Sequence, residues 1–410
     1  MVFSLSSHNV IQYLQSSGLF SLEDGASFSC QLPQSGKNRN FLVTLPGQKL
    51  LVKQERCLIQ DGIPQELFNE VLLHKLLEQF PVLRNIPALA PSVVHFDEEN
   101  SILVRNYLDD YLELSGFYTH DGIYPDTIAT TIGSSLAVLH RSTYNHRSYR
   151  NFMATAPEGT IRYQFFNPAQ GVSFVTPEIF GTLSSSAFEF YVLNQRYESL
   201  ESAIADLASE WNPCCLTHND LKLENILVHA RWSKLDNCLI RLIDWEAAAW
   251  GEPEFDLGTV IADYLRIWLE SIVVDSTLEL EESLQLALIP IDVIQPSILA
   301  LIRAYLNAFP MVLEYRQNFI MRVVQFAGLA LINHLEQAIK CGESFDNTQL
   351  NILFFAKKLL TMPSISIKTV FGVNESSIME PPKKLSTPNT NEREPNLLRI
   401  YYEKPRLRGC

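Results

Sequence analysis

The residues best suited to chemistry lie in a short polar loop between two apolar runs. Asp220 and Asn225 stand five positions apart in the segment 216–228, and Asp244 follows the apolar run 239–243. A carboxylate that accepts a hydroxyl proton, with an amide oxygen and a second carboxylate as hard ligands for Mg²⁺, is the polar set of kinase-type phosphoryl transfer. The pattern therefore predicts Asp220 as the catalytic residue, and Asn225 and Asp244 as the metal ligands.

These residues also resemble a known family. The segments 218–225 (HNDLKLEN) and 243–246 (IDWE) are similar to the catalytic core shared by aminoglycoside phosphotransferases and choline or ethanolamine kinases. The two segments together are specific evidence for this family, whereas either segment alone would be weak evidence. Beyond the motif, the resemblance extends thinly over residues 20–360. It implies ATP and Mg²⁺ as cofactors and a two-lobed, protein kinase-like α+β fold, with a small antiparallel-sheet N-lobe and a mostly helical C-lobe.

A lysine and a glutamate of the N-terminal part are the predicted nucleotide-binding residues. Kinases use a strand lysine on the α- and β-phosphates, and a helix glutamate holds that lysine. Lys53 ends the strand-like run 49–54, although it could also be a solvated edge lysine. Glu66 and Glu70 share one face of the following helix, so either could reach Lys53; the family pattern favours Glu70. The hairpin loop 33–39 has no G-x-G-x-x-G signature, so no site is assigned to it.

Hydrophobic periodicity and breaks divide the chain into three parts. Strand-like runs at 92–96 and 101–105 precede a polar exit at 106–110, where kinases hinge between lobes. We predict a nucleotide-binding lobe over residues 1–105 and a catalytic and substrate lobe over 106–371. One helix is expected over 186–209, and more helices after 259. Residues 372–410 contain little that could form a core, which predicts a flexible tail.

Composition limits the classes of partner and location. The net charge of −14 supplies no basic stripe for a phosphate backbone, so nucleic acid is excluded as the main partner. The seven scattered cysteines form no C-x-x-C pair, which fits a reducing compartment. Neither a signal peptide nor an apolar run of bilayer length is evident, so we predict a cytoplasmic protein without a membrane span. The oligomeric state is not predicted.

The phosphate acceptor is predicted to be a hydroxyl of a small molecule. Only eleven residues separate Asp244 from Asp256, which leaves no activation segment of the protein-kinase kind. Asn219 and Trp245 match the choline-kinase variant of the motif, which slightly favours an amino alcohol as the acceptor. An aminoglycoside-like compound is the other candidate acceptor. Acidic residues between 270 and 282 could bind a cationic acceptor or form a solvated face.

Several alternatives stay open. The chain could be a nucleotide-binding pseudokinase or scaffold, or, less favoured, a protein kinase. A pair of buried strands with polar turns in an ordinary α/β domain would also explain the motif. His218 and His140 are expected to brace and pack rather than to catalyse. Asp256 is expected to cap the next helix or to brace the catalytic loop, with substrate contact as the minority alternative.

Overall fold

A computed structural model describes residues 3–20, 29–31, 38–55, 66–86, 93–155, 166–170, 183–235, 240–272 and 286–379. Most of the predicted hairpin loop 33–39, the acidic residues from 275 to 282 and the tail from residue 380 lie outside this described part. The five predicted site residues all lie within it.

A five-stranded antiparallel sheet forms the N-terminal part. Its strands are β1 (Ser29–Gln31), β2 (Arg39–Leu45), β3 (Gln48–Gln54), β4 (Val93–Asp97) and β5 (Ile102–Asn106), in the order β1-β2-β3-β5-β4. Gly47 makes the β2–β3 turn with φ +79°, a conformation that glycine adopts without steric cost. Strand periodicity of two sends Phe41 and Val43 to one face, where they pack with the apolar side of the short N-terminal helix.

The remainder of the described chain is mostly helical. Its short strands are β6 (Tyr111–Glu113), β7 (Cys215–Thr217), β8 (Ile226–His229), β9 (Ile240–Leu242) and β10 (Ala249–Gly251), which pair as β6-β8-β9 and β7-β10. The helices of the whole described chain are α1 (Val10–Ser16), α2 (Glu66–Gln79), α3 (Leu114–Asp121), α4 (Asp126–Thr143), α5 (Arg147–Met153), α6 (Ser185–Arg196), α7 (Glu198–Ser209), α8 (Pro253–Glu270), α9 (Ile291–Ala308), α10 (Val312–Tyr315), α11 (Phe319–Lys340), α12 (Asn347–Thr361), α13 (Pro363–Phe371) and α14 (Glu375–Ile378).

The described architecture is α+β with two lobes, as predicted. The chain passes from the sheet to the helical part after β5, and residues 107–110 connect to β6. The expected single helix over 186–209 is wrong in one respect: it is two helices, α6 and α7, which break at Tyr197, a residue with extended ψ of 90°. Residues 375–378 of the predicted tail form α14, whose Ile378 is buried in the core. The predicted domain limits themselves stay a prediction.

No described helix has both the length and the apolarity needed to cross a membrane.

Buried ion pairs anchor the start of α8 to the segment that follows α9. Arg316 lies 2.7 Å from Glu254 and 2.8 Å from Glu252, and Arg322 lies 2.6 Å from Glu252. All four side chains are buried. Such pairs cost desolvation, but loss of one partner leaves a charge uncompensated, so they fix the position of the elements that they join.

Helices α4 and α9 approach each other closely at Gly133, which predicts a large effect of a small substitution. A Cβ atom at position 133 would lie 2.1 Å from the carbonyl oxygen of Leu301. Because backbone cannot move aside as a flexible side chain can, Gly133→Ala should lower the free energy of unfolding by about 3 kcal/mol, the upper end for overpacking. Urea denaturation measures this change.

Gly116→Ala in α3 is the matched control. No atom lies within 4 Å of a Cβ at that position, so the change should be neutral or stabilise by up to about 1 kcal/mol through helix propensity. Equal unfolding midpoints for the two variants would show that α4 and α9 are not in this close contact.

Candidate active site

The loop between β7 and β8 is held by one buried carboxylate, that of Asp256 in the first turn of α8. Asp256 accepts the backbone N–H of His218 at 2.8 Å and that of Asn219 at 2.9 Å. Oδ2 of this carboxylate, which accepts from His218, also lies 3.2 Å from Nε2 of His140, and Nδ1 of His140 lies 3.0 Å from the hydroxyl of Tyr305. The expectations that Asp256 braces the loop and that His140 is a hydrogen-bonding residue of the core are confirmed.

His218 joins the loop to the strand that carries Asp244. Its Nε2 donates to the carbonyl of Ile243 at 2.8 Å, which leaves Nδ1 to accept the backbone N–H of Asp220 at 3.4 Å. The backbone N–H of Ile243 in turn donates to the carbonyl of Asn225 at 2.9 Å. Two segments that are separate in sequence are thus fixed side by side, and the bracing role expected of His218 is confirmed.

Asp220 and Asn225 are in direct contact. The Asn225 amide nitrogen donates to the backbone carbonyl of Asp220 at 2.8 Å and to its carboxylate at 3.1 Å. The ammonium group of Lys222 lies 3.3 Å from the same carboxylate, and 43% of the Asp220 side chain is exposed. Because the amide nitrogen of Asn225 is committed to Asp220, its amide oxygen is the atom that remains for a cation.

Asp244 follows β9 in the left-handed region, with φ +62° and ψ +59°. Outlying backbone geometry in a residue other than glycine is concentrated at functional sites. Its Oδ1 accepts from Lys53 Nζ at 2.6 Å and from a guanidinium nitrogen of Arg105 at 3.0 Å. Burial by itself would raise the pKa of Asp244, but the two cations outweigh burial and hold the pKa well below its usual value. Asp244 is therefore an anion at neutral pH.

Lys53 and Glu70 lie close together, yet Glu70 is not the nearest partner of Lys53. Nζ of Lys53 is 3.5 Å from Glu70, compared with 2.6 Å from Asp244 and 3.2 Å from Glu246. Lys53 and Glu70 are both 2% exposed, so Lys53 is not a solvated edge lysine. Glu70, the helix glutamate that the family pattern favours, thus lies within 3.5 Å of Lys53, while the nearer Glu246 belongs to the segment after β9.

Arg105 is a site residue that the sequence analysis missed. In the β3–β5 register Arg105 lies opposite Leu51, and Lys53 lies opposite Leu103, so both cations project from the same face of the sheet. Arg105 is buried and contacts Glu70 at 2.9 Å and Asp244 at 3.0 Å. A charged residue that ends an otherwise apolar strand was the available signal, because such a residue requires a buried partner.

Glu246 is a second missed residue. Its carboxylate accepts from the side-chain amide of Asn38 at 2.8 Å and from Lys53, while its backbone carbonyl accepts from Asn69 of α2 at 2.7 Å. Burial raises the pKa of Glu246, and Lys53 opposes that rise. The signal was its place directly after Asp244 and Trp245 in the motif. Glu246 thus connects both predicted nucleotide-binding elements to the segment after β9.

Residues of this cluster line two cavities of unequal size. The larger one, of about 590 Å³, contains Lys53, Arg105 and Asp244, and extends along the connection after β5. Its other lining residues include the apolar side chains of Leu42, Leu51, Tyr107, Leu108, Leu227 and Ile243. The smaller one, of about 100 Å³, lies between α8, α11 and the β7–β8 loop (residues 218–225, the predicted catalytic loop). Asp220 is one of its lining residues.

Comparison with known proteins relates this geometry to a family. The sequence profile of the phosphotransferase enzyme family matches residues 30–282, which is more than half of the chain. The chain belongs to the phosphotransferase enzyme family. The family predicted from the motif is therefore confirmed, and so is the prediction of an enzyme. No curated protein matches the chain.

Solved structures share the fold of this phosphotransferase. An ethanolamine kinase from Plasmodium vivax is 18% identical with a TM-score of 0.52, over 85% of this chain and 87% of that one. A choline kinase from Streptococcus pneumoniae is also 18% identical, with a TM-score of 0.44, over 86% of this chain and 98% of that one. The likeness to the first supports the fold alone, and the predicted two-lobed α+β fold of kinase type is confirmed.

The oxygen atoms of this phosphotransferase fit the magnesium ion that the family implies. Asn225 offers an amide oxygen and Asp244 an ionised carboxylate, both hard donors on segments that share a backbone hydrogen bond. Mg²⁺ is usually held by one or two carboxylates or amides and completes its octahedral shell with water and substrate phosphates. Their assignment as metal ligands, and that of Asp220, Lys53 and Glu70 as site residues, stays a prediction.

The buried ion pairs of Arg105 predict how substitutions at this position change the stability of the protein. Arg105→Met would leave the buried Glu70 carboxylate with Lys53 at 3.5 Å as its remaining cation, so the free energy of unfolding should fall by about 3 kcal/mol. Arg105→Lys should recover only part of that stability, because an ammonium group cannot span both carboxylates as a guanidinium does. Urea denaturation measures both effects. Wild-type stability in Arg105→Met would contradict the buried pairing.

Proposed function

We propose that this phosphotransferase moves the γ-phosphoryl group of ATP to a hydroxyl of a small molecule. The observation that supports this most directly is that hydrogen bonds join the segment of Asp220 and Asn225 to the segment of Asp244. Asp244 lines the nucleotide-sized cavity, and Asp220 lines the smaller pocket. A ternary transfer reaction requires such an arrangement, with one site for the donor, one for the acceptor and the reactive groups between them.

The larger cavity suits ATP as the donor. Its volume of about 590 Å³ lies in the range of ordinary ligand sites, roughly 300–1,000 Å³. Apolar side chains from β2 and β3 on one side and from β8 and Ile243 on the other can enclose a flat base. Backbone groups of the connection after β5 can meet its edge. Lys53 at the far end would bind the phosphates, which requires it to move from Asp244.

Asp220 would act on the acceptor. As the acceptor oxygen forms its bond to the γ-phosphorus, the bond from that phosphorus to the bridging oxygen of ADP breaks, and the hydroxyl proton passes to Asp220. The transition state is loose, so the carboxylate contributes mainly by orienting the hydroxyl. Bound Mg²⁺, held by Asn225 and Asp244, would neutralise charge on the phosphates. Lys222 beside Asp220 adds a further cation at the point of transfer.

The short path from Asp244 to α8 favours a small acceptor over a protein. A single turn at Trp245–Ala247 leads into β10, which pairs with β7, and α8 begins at Pro253. No described residue in this stretch forms a platform on which a peptide could lie. The family resemblance suggests amino alcohols or aminoglycoside-like compounds as acceptors. The joint presence of Lys53, Asp220, Asn225 and Asp244 argues against a pseudokinase, which has no chemical need for all four.

An acceptor panel tests the proposal. The purified chain with ATP and Mg²⁺ is incubated with choline, ethanolamine, aminoglycosides, homoserine, sugars and a generic protein, and ³¹P NMR follows ADP and new phosphoesters. We expect ATP-dependent phosphorylation of a small hydroxyl compound. Nucleotide binding without transfer to any compound would favour the scaffold, and phosphate on the protein substrate would favour a protein kinase.

A further inference from the structure

The pocket beside Asp220 is small and is lined by both polar and apolar side chains. Helices α8 and α11 form its walls, and the catalytic loop forms its end. Beyond the loop, its polar and charged described lining residues are Thr259, Asp263, Arg266, Asn333, His334 and Gln337. On the proposed function, this pocket receives the part of the acceptor that carries the reacting hydroxyl, so its charges limit the acceptor's chemistry.

Each carboxylate that lines the pocket already has a cation in contact. Asp220 lies 3.3 Å from Lys222, and Asp263 lies 3.2 Å from Arg266. Asp263 also accepts the backbone N–H of Leu223 at 2.7 Å through its other oxygen. Burial raises the pKa of Asp263 to about 6, so Asp263 is still mainly ionised at pH 7.5. Two anions and two cations therefore cancel within the described lining of the pocket.

Two further carboxylates, those of Glu224 and Glu270, share Arg266 with Asp263, and Glu270 also lies 3.9 Å from Nε2 of His334. Glu224 and Glu270 lie 3.4 Å and 3.2 Å from Arg266, and they are 43% and 46% exposed, so water and salt screen their charges. His334 adds no charge at neutral pH, because burial, with Arg266 and Lys222 nearby, lowers its pKa to about 4. Its imidazole is neutral and can both donate and accept a hydrogen bond.

The described lining also lacks an aromatic surface for an alkylated ammonium. Phe255 is its only Phe, Tyr or Trp residue, and Phe255 is 3% exposed because it packs in the core. Recognition of quaternary ammonium groups depends on cations that lie over open aromatic faces. Thr259, Asn333 and Gln337 instead offer neutral hydrogen-bonding groups.

We infer that the reacting hydroxyl belongs to a neutral part of the acceptor. The inference rests on the proposed function and departs from the amino-alcohol tilt of the sequence motif. A cation placed two carbons from the hydroxyl, as in choline or ethanolamine, would lose water in this pocket without gaining an unmatched carboxylate or an aromatic face. A neutral hydroxyl compound would exchange its water for hydrogen bonds with His334 and the amides.

Matched pairs of alcohols test charge at constant shape. One pair is ethanolamine and ethane-1,2-diol; the other is choline and 3,3-dimethylbutan-1-ol. For each compound, kcat/KM is measured from ADP release with phosphoester product confirmed, and binding is measured by saturation-transfer NMR with ADP and Mg²⁺ present. We expect the neutral member of each pair to exceed the cationic member about tenfold. Preference for the cationic members, or binding of none of the four, would overturn the inference.

His334→Glu tests the pocket itself. The change adds one carboxylate beside Arg266 and Lys222, which already have carboxylate partners, so the lining becomes net negative and the cationic-to-neutral ratio of binding or kcat/KM should rise about tenfold. His334 is partly exposed, which makes the substitution compatible with folding. His8→Glu, at an exposed turn in the N-terminal part, makes the same chemical change and should leave the ratio unchanged. An unchanged ratio in His334→Glu would overturn the assignment of this pocket.

Different results would contradict the proposed function and the inference about the acceptor. If the chain neither binds ATP in a Mg²⁺-dependent manner nor transfers phosphate to any alcohol of the panel, the proposed function fails. If ATP binds and phosphate is transferred to ethanolamine or choline in preference to their neutral counterparts, the proposed function stands and only the inference about the acceptor is lost.

Discussion

Asp220→Asn is expected to lower turnover by about 10³- to 10⁴-fold, with the fold and the affinity for ATP unchanged. The substitution keeps the size of the side chain and can keep a hydrogen bond with Asn225. It removes the group that orients the acceptor hydroxyl and takes its proton. Turnover is measured with the best acceptor of the panel, nucleotide affinity by calorimetry and stability by urea denaturation.

Asp206→Asn in the exposed turn at the end of α7 is the matched control, since it makes the same change far from both cavities. It should leave all three quantities at their wild-type values. A turnover of Asp220→Asn within a few-fold of the wild type would remove Asp220 from the catalytic role, whatever acceptor is used.

Asp244→Asn is the second substitution with a large expected effect. It removes the ionised ligand of the predicted metal site, so turnover should fall by about 10²- to 10³-fold, the range for loss of one group that stabilises transition-state charge. The Mg²⁺ concentration for half-maximal rate should rise at least about tenfold, because an amide is a weaker ligand than a carboxylate. Turnover is measured against Mg²⁺ at fixed ATP.

The pKa of Asp244 adds a pH control to this experiment. Because Lys53 and Arg105 hold this pKa below its usual value, the carboxylate is present as an anion throughout the neutral range. The Mg²⁺ requirement of the wild-type chain should therefore show no step from Asp244 between pH 6 and 8. The same half-maximal Mg²⁺ concentration in Asp244→Asn and wild type would contradict a metal role.

The catalytic part of the site was predictable because its information is local. Asp220 and Asn225 lie in one loop, and the apolar runs on either side of that loop are strands in the structure. Asp244 comes directly after the next strand, and adjacent antiparallel strands bring their ends together. The five predicted site residues accordingly lie around one cluster, although their roles stay predictions.

The ion pairs behind that cluster were not predictable from local pattern. Arg105 reaches Glu70 and Asp244 across separations of 35 and 139 residues, and the β3–β5 pairing places it on the same sheet face as Lys53. The sequence pattern predicted only that a helix glutamate would hold the strand lysine. In the structure, three carboxylates share two buried cations.

The composition of the acceptor pocket was equally hidden. Its walls come from α8 and α11, which pack along their length although 48 residues (271–318) lie between them in the sequence. Burial in this packing raises the pKa of Asp263 although Arg266 opposes the rise, and burial together with Arg266 and Lys222 lowers the pKa of His334. A count of acidic letters could not show which carboxylates already have partners.

The contact between Asp256 and the catalytic loop has a consequence for fragments of the chain. Every predicted site residue precedes position 250. The Asp256 carboxylate that holds the catalytic loop is nevertheless hydrogen-bonded to His140, and His140 is hydrogen-bonded to Tyr305 of α9. A protein truncated at residue 282, where the family match ends, would keep the reactive side chains and lose the support that sets their geometry. Engineering of a minimal enzyme must therefore retain the C-terminal helices as a scaffold.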